Sequence, residues 1–163
     1  MRFSSRISCR AGSSLGLLLA LVSSSLVAAT DIAFQPVGEG SFSGIDEQVM
    51  EAIHDQARYD ELWRQHITGQ SPAPPQPSID FSHATLIAAF AGLQNSAGHH
   101  FSVMRIETAG AEWRVHLRHT YPGKNCISST VMDSPYALVT TVRTQLPGRF
   151  LTEDVALDCT SSH

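Results

Sequence analysis

The clearest alternation in the chain lies at Trp113, Val115 and Leu117, which are interleaved with Arg114, His116 and Arg118. A period of two with one apolar face predicts a half-buried strand. Ala84 to Gly92 (ATLIAAFAG) is apolar at nearly every position, the pattern of a strand covered on both faces in the middle of a sheet; its alanines also permit a short buried helix, but its length and bounding loops favour the strand. Phe101 to Thr108 alternates imperfectly, which predicts a strand interrupted by a bulge. Tyr136 to Val142 and Phe150 to Cys159 read as two further strands, each entered through a proline-containing turn (Ser134-Pro135 and Leu146-Pro147-Gly148). A short strand and turns near an edge fit residues 34–48, with Gly38, Gly40 and Gly44 among Phe34, Val37, Phe42 and Ile45. Val49 to His54 fits a strand or the lead-in to a helix.

A different period occurs once. Tyr59, Leu62, Trp63, His66 and Ile67 fall at i, i+3, i+4, i+7 and i+8, the apolar face of an amphipathic helix with Asp55 as its N-cap. That face is read as core, His66 included. Asp60 and Arg64 are spaced to pair on its wet side. Thr68 to Ser78 then holds four prolines in eleven residues, which excludes helix and central strand and predicts a stiff extended connector. The expected class is α+β and mostly β: an antiparallel sheet, or a small barrel or sandwich, with one N-terminal amphipathic helix.

The first 29 residues have the layout of a secretory signal peptide. A basic stretch to Ser14 precedes a short apolar run, Leu15 to Val27, and Val27-Ala28-Ala29 places small residues before Thr30. Cleavage is expected after Ala29, with the product periplasmic or secreted, a single domain over residues 30–163, and no membrane span once the leader is gone. The run is too short, and too rich in serine, for a spanning helix. Cys9 leaves with the leader. Cys126 and Cys159 remain as an even pair in an oxidising compartment and are expected to form one disulfide, the alternatives being two free thiols or a Cys nucleophile beside a histidine.

Charge and motifs narrow the function. The formal charge is −4 for the whole chain, and the leader carries three arginines and no acid, leaving −7. Such a balance argues against binding nucleic acid or anionic lipid. Lys124 is the one lysine, so there is no P-loop. No Gly-x-Ser-x-Gly occurs, the adjacent carboxylate pairs have the pattern of solvated surface, and no cofactor fingerprint is present. The expectation is a protein without enzymatic activity or cofactor. His99-His100 are adjacent, and His116 and His119 are three apart, so on strands each pair faces opposite sides and no usual metal spacing forms. No metal ligands are assigned. A cross-strand site joining His99 or His100 to His116 stays as a lesser reading, a His-based metal-binding periplasmic protein.

Several pieces of residues 79–144 resemble a known family. Ile79-Asp80-Phe81-Ser82 precedes the apolar strand Leu86–Phe90 and Gly92. Next come Asn95-Ser96-Ala97-Gly98, Phe101-Ser102-Val103, the turn Tyr121-Pro122-Gly123, and Ser134-Pro135-Tyr136-Ala137-Leu138-Val139. Their order and chemistry are similar to the C-terminal domain of the protease complex subunit PrcB family. That pattern has a D-F-S opening, a strand ending in Gly, a P-T-G-G-Y-type loop and a late S-P-Y-x-L-V strand. The departures fall in the loop: Asn95 stands where proline is common, Ala97 replaces a glycine, and His99-His100 are extra. The resemblance implies an exported, non-catalytic protein that binds another protein, as a subunit or stabiliser of an extracytoplasmic protease complex. The loop also resembles the T-T-G-Y loop of chagasin-type protease inhibitors. That implies the alternative of a β-sandwich inserting loops into a protease cleft, which needs Ser96–His100, the Pro122–Lys124 turn and a third loop at one end.

The interaction candidate is the loop Ser96, Ala97, Gly98, His99 and His100, because it joins a buried strand to a half-exposed one and a rigid scaffold would present it. Ser134, Pro135 and Tyr136 form the secondary candidate.

Overall fold

The computed structural model describes residues 29–160. The expected leader, apart from Ala29, falls outside them. The chain runs through β1 (Thr30–Ile32), β2 (Phe34–Gly40), β3 (Val49–Ile53), α1 (Gln56–His66), β4 (Ala84–Phe90), β5 (His100–Ala109), β6 (Glu112–Pro122), β7 (Tyr136–Val142) and β8 (Gly148–Leu157). Two four-stranded sheets result, in the orders β1-β5-β6-β8 and β2-β7-β4-β3. They stack as a sandwich rather than closing into a barrel. The helix covers the outer face of the second sheet, so the order of layers is helix, sheet, sheet.

This layering accounts for the unbroken apolar run in β4. Leu86, Ala88 and Phe90 face the helix and pack with Ile53, Tyr59, Leu62, Trp63, Phe81 and Leu138. Ile87 and Ala89 face the other sheet and pack with Phe101, Ile106, Trp113, Val115, Leu117 and Val139. With β7 on one side and β3 on the other, β4 has no wet face. The alternation in β6 has the opposite cause: its odd positions enter the inter-sheet core, and its outer face meets solvent.

The helix begins at the expected cap, where the Asp55 side chain accepts from Arg58 N at 2.9 Å. Arg58 also grips Glu51 of β3 through a two-pronged ion pair, fixing the helix to the sheet edge. The expected Asp60–Arg64 ion pair does not form. Arg64 Nε donates to the Asp60 carbonyl at 3.3 Å, while the Asp60 carboxylate accepts from Gln56 and Gln76. The proline-rich connector is neither helix nor strand, and Tyr59 Oη holds it by donating to Pro77 O at 3.2 Å.

Val49–Ile53 resolves as a strand, and the bulge expected in β5 lies between Val103 and Arg105. One pairing departs from the antiparallel expectation: β6 and β8 run parallel. After β6 the chain crosses to the other sheet as β7 and then crosses back. Two reversals return it in the direction of β6.

Candidate functional site

At one end of the sandwich four segments converge: the loop after β4, the start of β5, the end of β6 with the following turn, and residues 126–134. The loop after β4 starts at Gly92, whose φ of +77° suits glycine and whose absent Cβ would meet Asp46 O at 2.8 Å. It ends at Gly98, with φ of +94°, where a Cβ would lie 3.0 Å from Pro122 Cγ. Asp133, buried at 3% exposure, clamps this loop. Its Oδ2 accepts from Gly98 N at 2.7 Å and His99 N at 3.0 Å, and its carbonyl accepts from Gln94 N. Ala97 N donates to Ser129 O at 3.0 Å, tying in the segment that follows the disulfide. Charge-assisted bonds to two successive amides are strong enough to hold a backbone without a strand.

The two adjacent histidines separate as expected. His100 opens β5 with its side chain exposed, whereas His99 turns inward. His99 does not meet His116. The β5–β6 register sets Phe101 opposite His119, so His99, two residues before Phe101 on the same face, reaches His119 instead. His116 lies on the outer face of its sheet, bonded to Glu107 at 3.0 Å, and Arg105 closes on the other Glu107 oxygen at 2.6 Å.

Ser96, His99, His119 and Asp154 form a chain of hydrogen bonds. Ser96 Oγ lies 3.3 Å from His99 Nε2, His99 Nδ1 lies 3.0 Å from His119 Nε2, and His119 Nδ1 lies 3.1 Å from Asp154 Oδ1. A carboxylate only accepts, so it orients the whole chain when both rings are neutral. His119 donates from Nδ1, His99 donates from its own Nδ1, and Ser96 donates its hydroxyl proton to His99. The His99 and His119 rings stack at 5.2 Å, with Tyr121 alongside. Burial, followed by the neighbouring His119, pushes the His99 pKa down, against an upward pull from Asp133.

Serine, histidine and aspartate in line invite comparison with a nucleophile relay. Acyl transfer also needs preorganised hydrogen-bond donors for the oxyanion, from backbone or side chains. The amides of Ala97, Gly98 and His99 are already committed to Ser129 and Asp133. The network ties the loop to β6 and β8. Among the described residues no cluster of three or more His, Cys, Asp or Glu side chains is arranged to hold a metal ion.

Around the braced loop the surface is apolar. Ile127 is fully exposed, and Val131 and Met132 are 54% and 55% exposed. A shallow groove of about 280 Å³ is lined by Ala97, Gly98, Pro122, Ile127, Ser129 and Leu157. The expected disulfide closes the base of this region: Cys126 and Cys159 are bonded, with Cα atoms 4.9 Å apart. Their bridge ties residues 126–134 to the end of β8, where Gly123 N also donates to Leu157 O. Ile127, Val131 and Met132 carry no mark in the sequence, since isolated apolar residues in a polar loop have no period.

Ser134, Pro135 and Tyr136 sit on the other side of this loop. Ser134 and Pro135 are buried; Ser134 N donates to Ser41 O at 2.8 Å, and Pro135 O accepts from Ala91 N at 2.9 Å. Tyr136 packs its ring against His66 at 4.3 Å and Phe90 at 5.9 Å. The segment joins the two ends of sheet strands and contributes chiefly to packing.

Residues 85–141 match the family model described as PrcB C-terminal. The resemblance seen in the sequence thus holds over this span. The PrcB C-terminal span runs from β4 to nearly the end of β7 and includes the braced loop and the apolar segment after Cys126. α1 and β8 lie outside it, yet Tyr59, Leu62 and Trp63 cover one face of its central strand. Curated proteins and solved structures yield no match to the chain.

Proposed function

We propose that the chain is an exported, non-catalytic protein-binding domain that joins an extracytoplasmic protease complex as a subunit or stabiliser. It acts in the periplasm or after secretion, once a leader ending at Ala29 is removed. The observation that carries the binding role is the juxtaposition of a loop held rigid by Asp133 with the exposed apolar side chains of Ile127, Val131 and Met132. A preorganised loop loses little entropy on docking, and apolar side chains beside it supply contact area. The match to the PrcB C-terminal model supports the protease-associated context.

A second reading has its own support. Ser96–His100, the Pro122–Lys124 turn and residues 126–134 meet at one end of a sandwich, as a loop-inserting protease inhibitor requires. One experiment addresses both. The full chain and a variant carrying His100→Ala, Ile127→Ser and Met132→Ser are expressed in the native compartment and crosslinked, and captured proteins are identified. His99 is left intact because it braces the loop. The expected result is capture of a protease component by the wild type and its loss in the folded variant. Full capture by the variant rejects the surface. Activity of the captured protease then separates the readings: a subunit leaves it active, and an inhibitor abolishes it.

A further inference from the structure

Each sheet ends in two edge strands, and three of these four edges are poor templates for pairing. β1 has three residues, β2 carries Pro36 with a register shift beside it, and β3 has five residues with Glu51 gripped by Arg58. β8 differs. It is ten residues long, pairs with β6 without a register shift, and contains no proline and no lysine. Short length, proline, bulges and charge are how proteins protect an edge; of these β8 has only charge, Arg149 and Glu153 on its outer face and Asp154 on its inner face, where His119 holds it.

The hydrogen bonds to β6 fix which backbone groups of β8 remain open among the described residues. Trp113 N donates to Pro147 O and Gly123 N to Leu157 O, so the odd-numbered residues of β8 point their amides and carbonyls at β6. The even-numbered residues, Gly148, Phe150, Thr152, Asp154 and Ala156, therefore aim theirs outward from the sheet. An antiparallel strand added there must set even residues opposite even ones as hydrogen-bonded pairs. Odd residues then face odd ones as the closer, non-hydrogen-bonded pairs.

We infer that β8 is a self-pairing edge, through which two copies of the chain join their sheets antiparallel about a two-fold axis at Leu151. In that register Arg149 stands opposite Glu153 of the second copy, and the symmetry makes this pair twice. Leu151, 38% exposed in the single chain, faces Leu151 of the second copy across the axis. Shifting one step places Glu153 opposite Leu151, and a further shift in the same direction places Glu153 opposite itself. Arg149 within one chain has only a 3.9 Å approach to Glu112. Glu153 accepts from Arg118 at 3.0 Å through one oxygen and is 62% exposed, so its other oxygen can take the new pair. Self-complementarity of one patch is what a two-fold dimer requires, and the charges of β8 supply it. The pairing uses residues 148–154, so the apolar groove beside Ile127 stays open.

Sedimentation equilibrium of the full chain tests the association, and single cysteines test the register. Wild type is expected to sediment as a concentration-dependent dimer. Arg149→Glu is expected to weaken that dimer about tenfold, since two cross-strand attractions become repulsions, and adding Glu153→Arg in the same chain should recover most of the loss. Leu151→Cys should yield a covalent dimer on mild oxidation, because the paired positions lie within disulfide reach. Thr152→Cys, which faces inward, should not. A mixture of Arg149→Cys and Glu153→Cys chains should crosslink to each other more than either does to itself. A chain that stays monomeric at every concentration overturns the inference. A dimer that crosslinks through Thr152→Cys as readily as through Leu151→Cys overturns it as well.

Discussion

Acidification should loosen the helix from its sheet through His66. The ring is 1% exposed and packed among Trp63, Phe90 and Tyr136, with Ser43 Oγ at 3.0 Å from Nδ1 as its hydrogen-bond partner. No carboxylate stands among these neighbours to stabilise an imidazolium, and burial pushes the pKa from 6.5 down to about 4. Above pH 6.5 the ring is neutral folded and unfolded, and the group has no effect on stability. Between pH 6.5 and pH 4 the unfolded chain takes up a proton that the folded chain refuses, so stability falls by about 1.4 kcal/mol per pH unit. The full loss is about 3 kcal/mol and is complete once the pH has passed below the folded-state pKa. That is a large part of the stability of an ordinary domain. Urea unfolding followed by tryptophan fluorescence, at steps from about pH 7 to about pH 5, measures the slope above the range where carboxylates titrate. His66→Phe keeps an aromatic ring in the cluster and removes the proton site. Its stability at neutral pH should change by about 1 kcal/mol through the lost Ser43 bond, and most of the acid slope should vanish. His99, whose pKa is also lowered by burial, contributes a remainder of the same sign. A His66→Phe chain with the full wild-type slope would refute the assignment.

Trp63→Ala should cost about 3–5 kcal/mol, the range for large aromatic truncations in a core, because Trp63 lies in the layer between α1 and β4; an unchanged denaturation midpoint would mean that this layer does not bear on stability. The Cys126–Cys159 bridge closes a separation of 33 residues, so its reduction should destabilise by about 3–4 kcal/mol in the chain-entropy model. Intact mass with alkylation, before and after reductant, checks the bond itself: two alkylatable thiols in unreduced chain isolated from an oxidising compartment would contradict it.

Much of the fold was legible because it follows from local periods. The helix is announced by a 3.6-residue stripe and its cap, and both appear where expected, from Asp55 to His66. Residues 85–141, which match the PrcB C-terminal model, lie within the span 79–144 where the order of motifs resembles that family. Even the bulge in β5 shows as a break in alternation before Arg105. The His99 contact was not legible in the same way. Offset rules correctly separated His99 from His100 and His116 from His119, but the partner of His99 depended on which residue of β6 lies opposite Phe101.

Local pattern alone marks β4 to β8 as strands, the dry face of the helix and the cover on both sides of β4, whereas β1 carries no such mark and β3 reads equally as the lead-in to the helix. These properties depend on neighbours within about ten residues, where side-chain direction follows from the backbone repeat. Long-range packing sets the rest: β8 runs parallel to β6, Asp133 clamps Gly98 and His99 from 34 or more residues away, and Ile127, Val131 and Met132 stay uncovered beside them among the described residues. Exposure and pairing are properties of what arrives from elsewhere in the chain. An aspartate before Ser134-Pro135 carries no local mark of the two amides it will accept, and an isoleucine after Cys126 carries none of the surface it will leave bare.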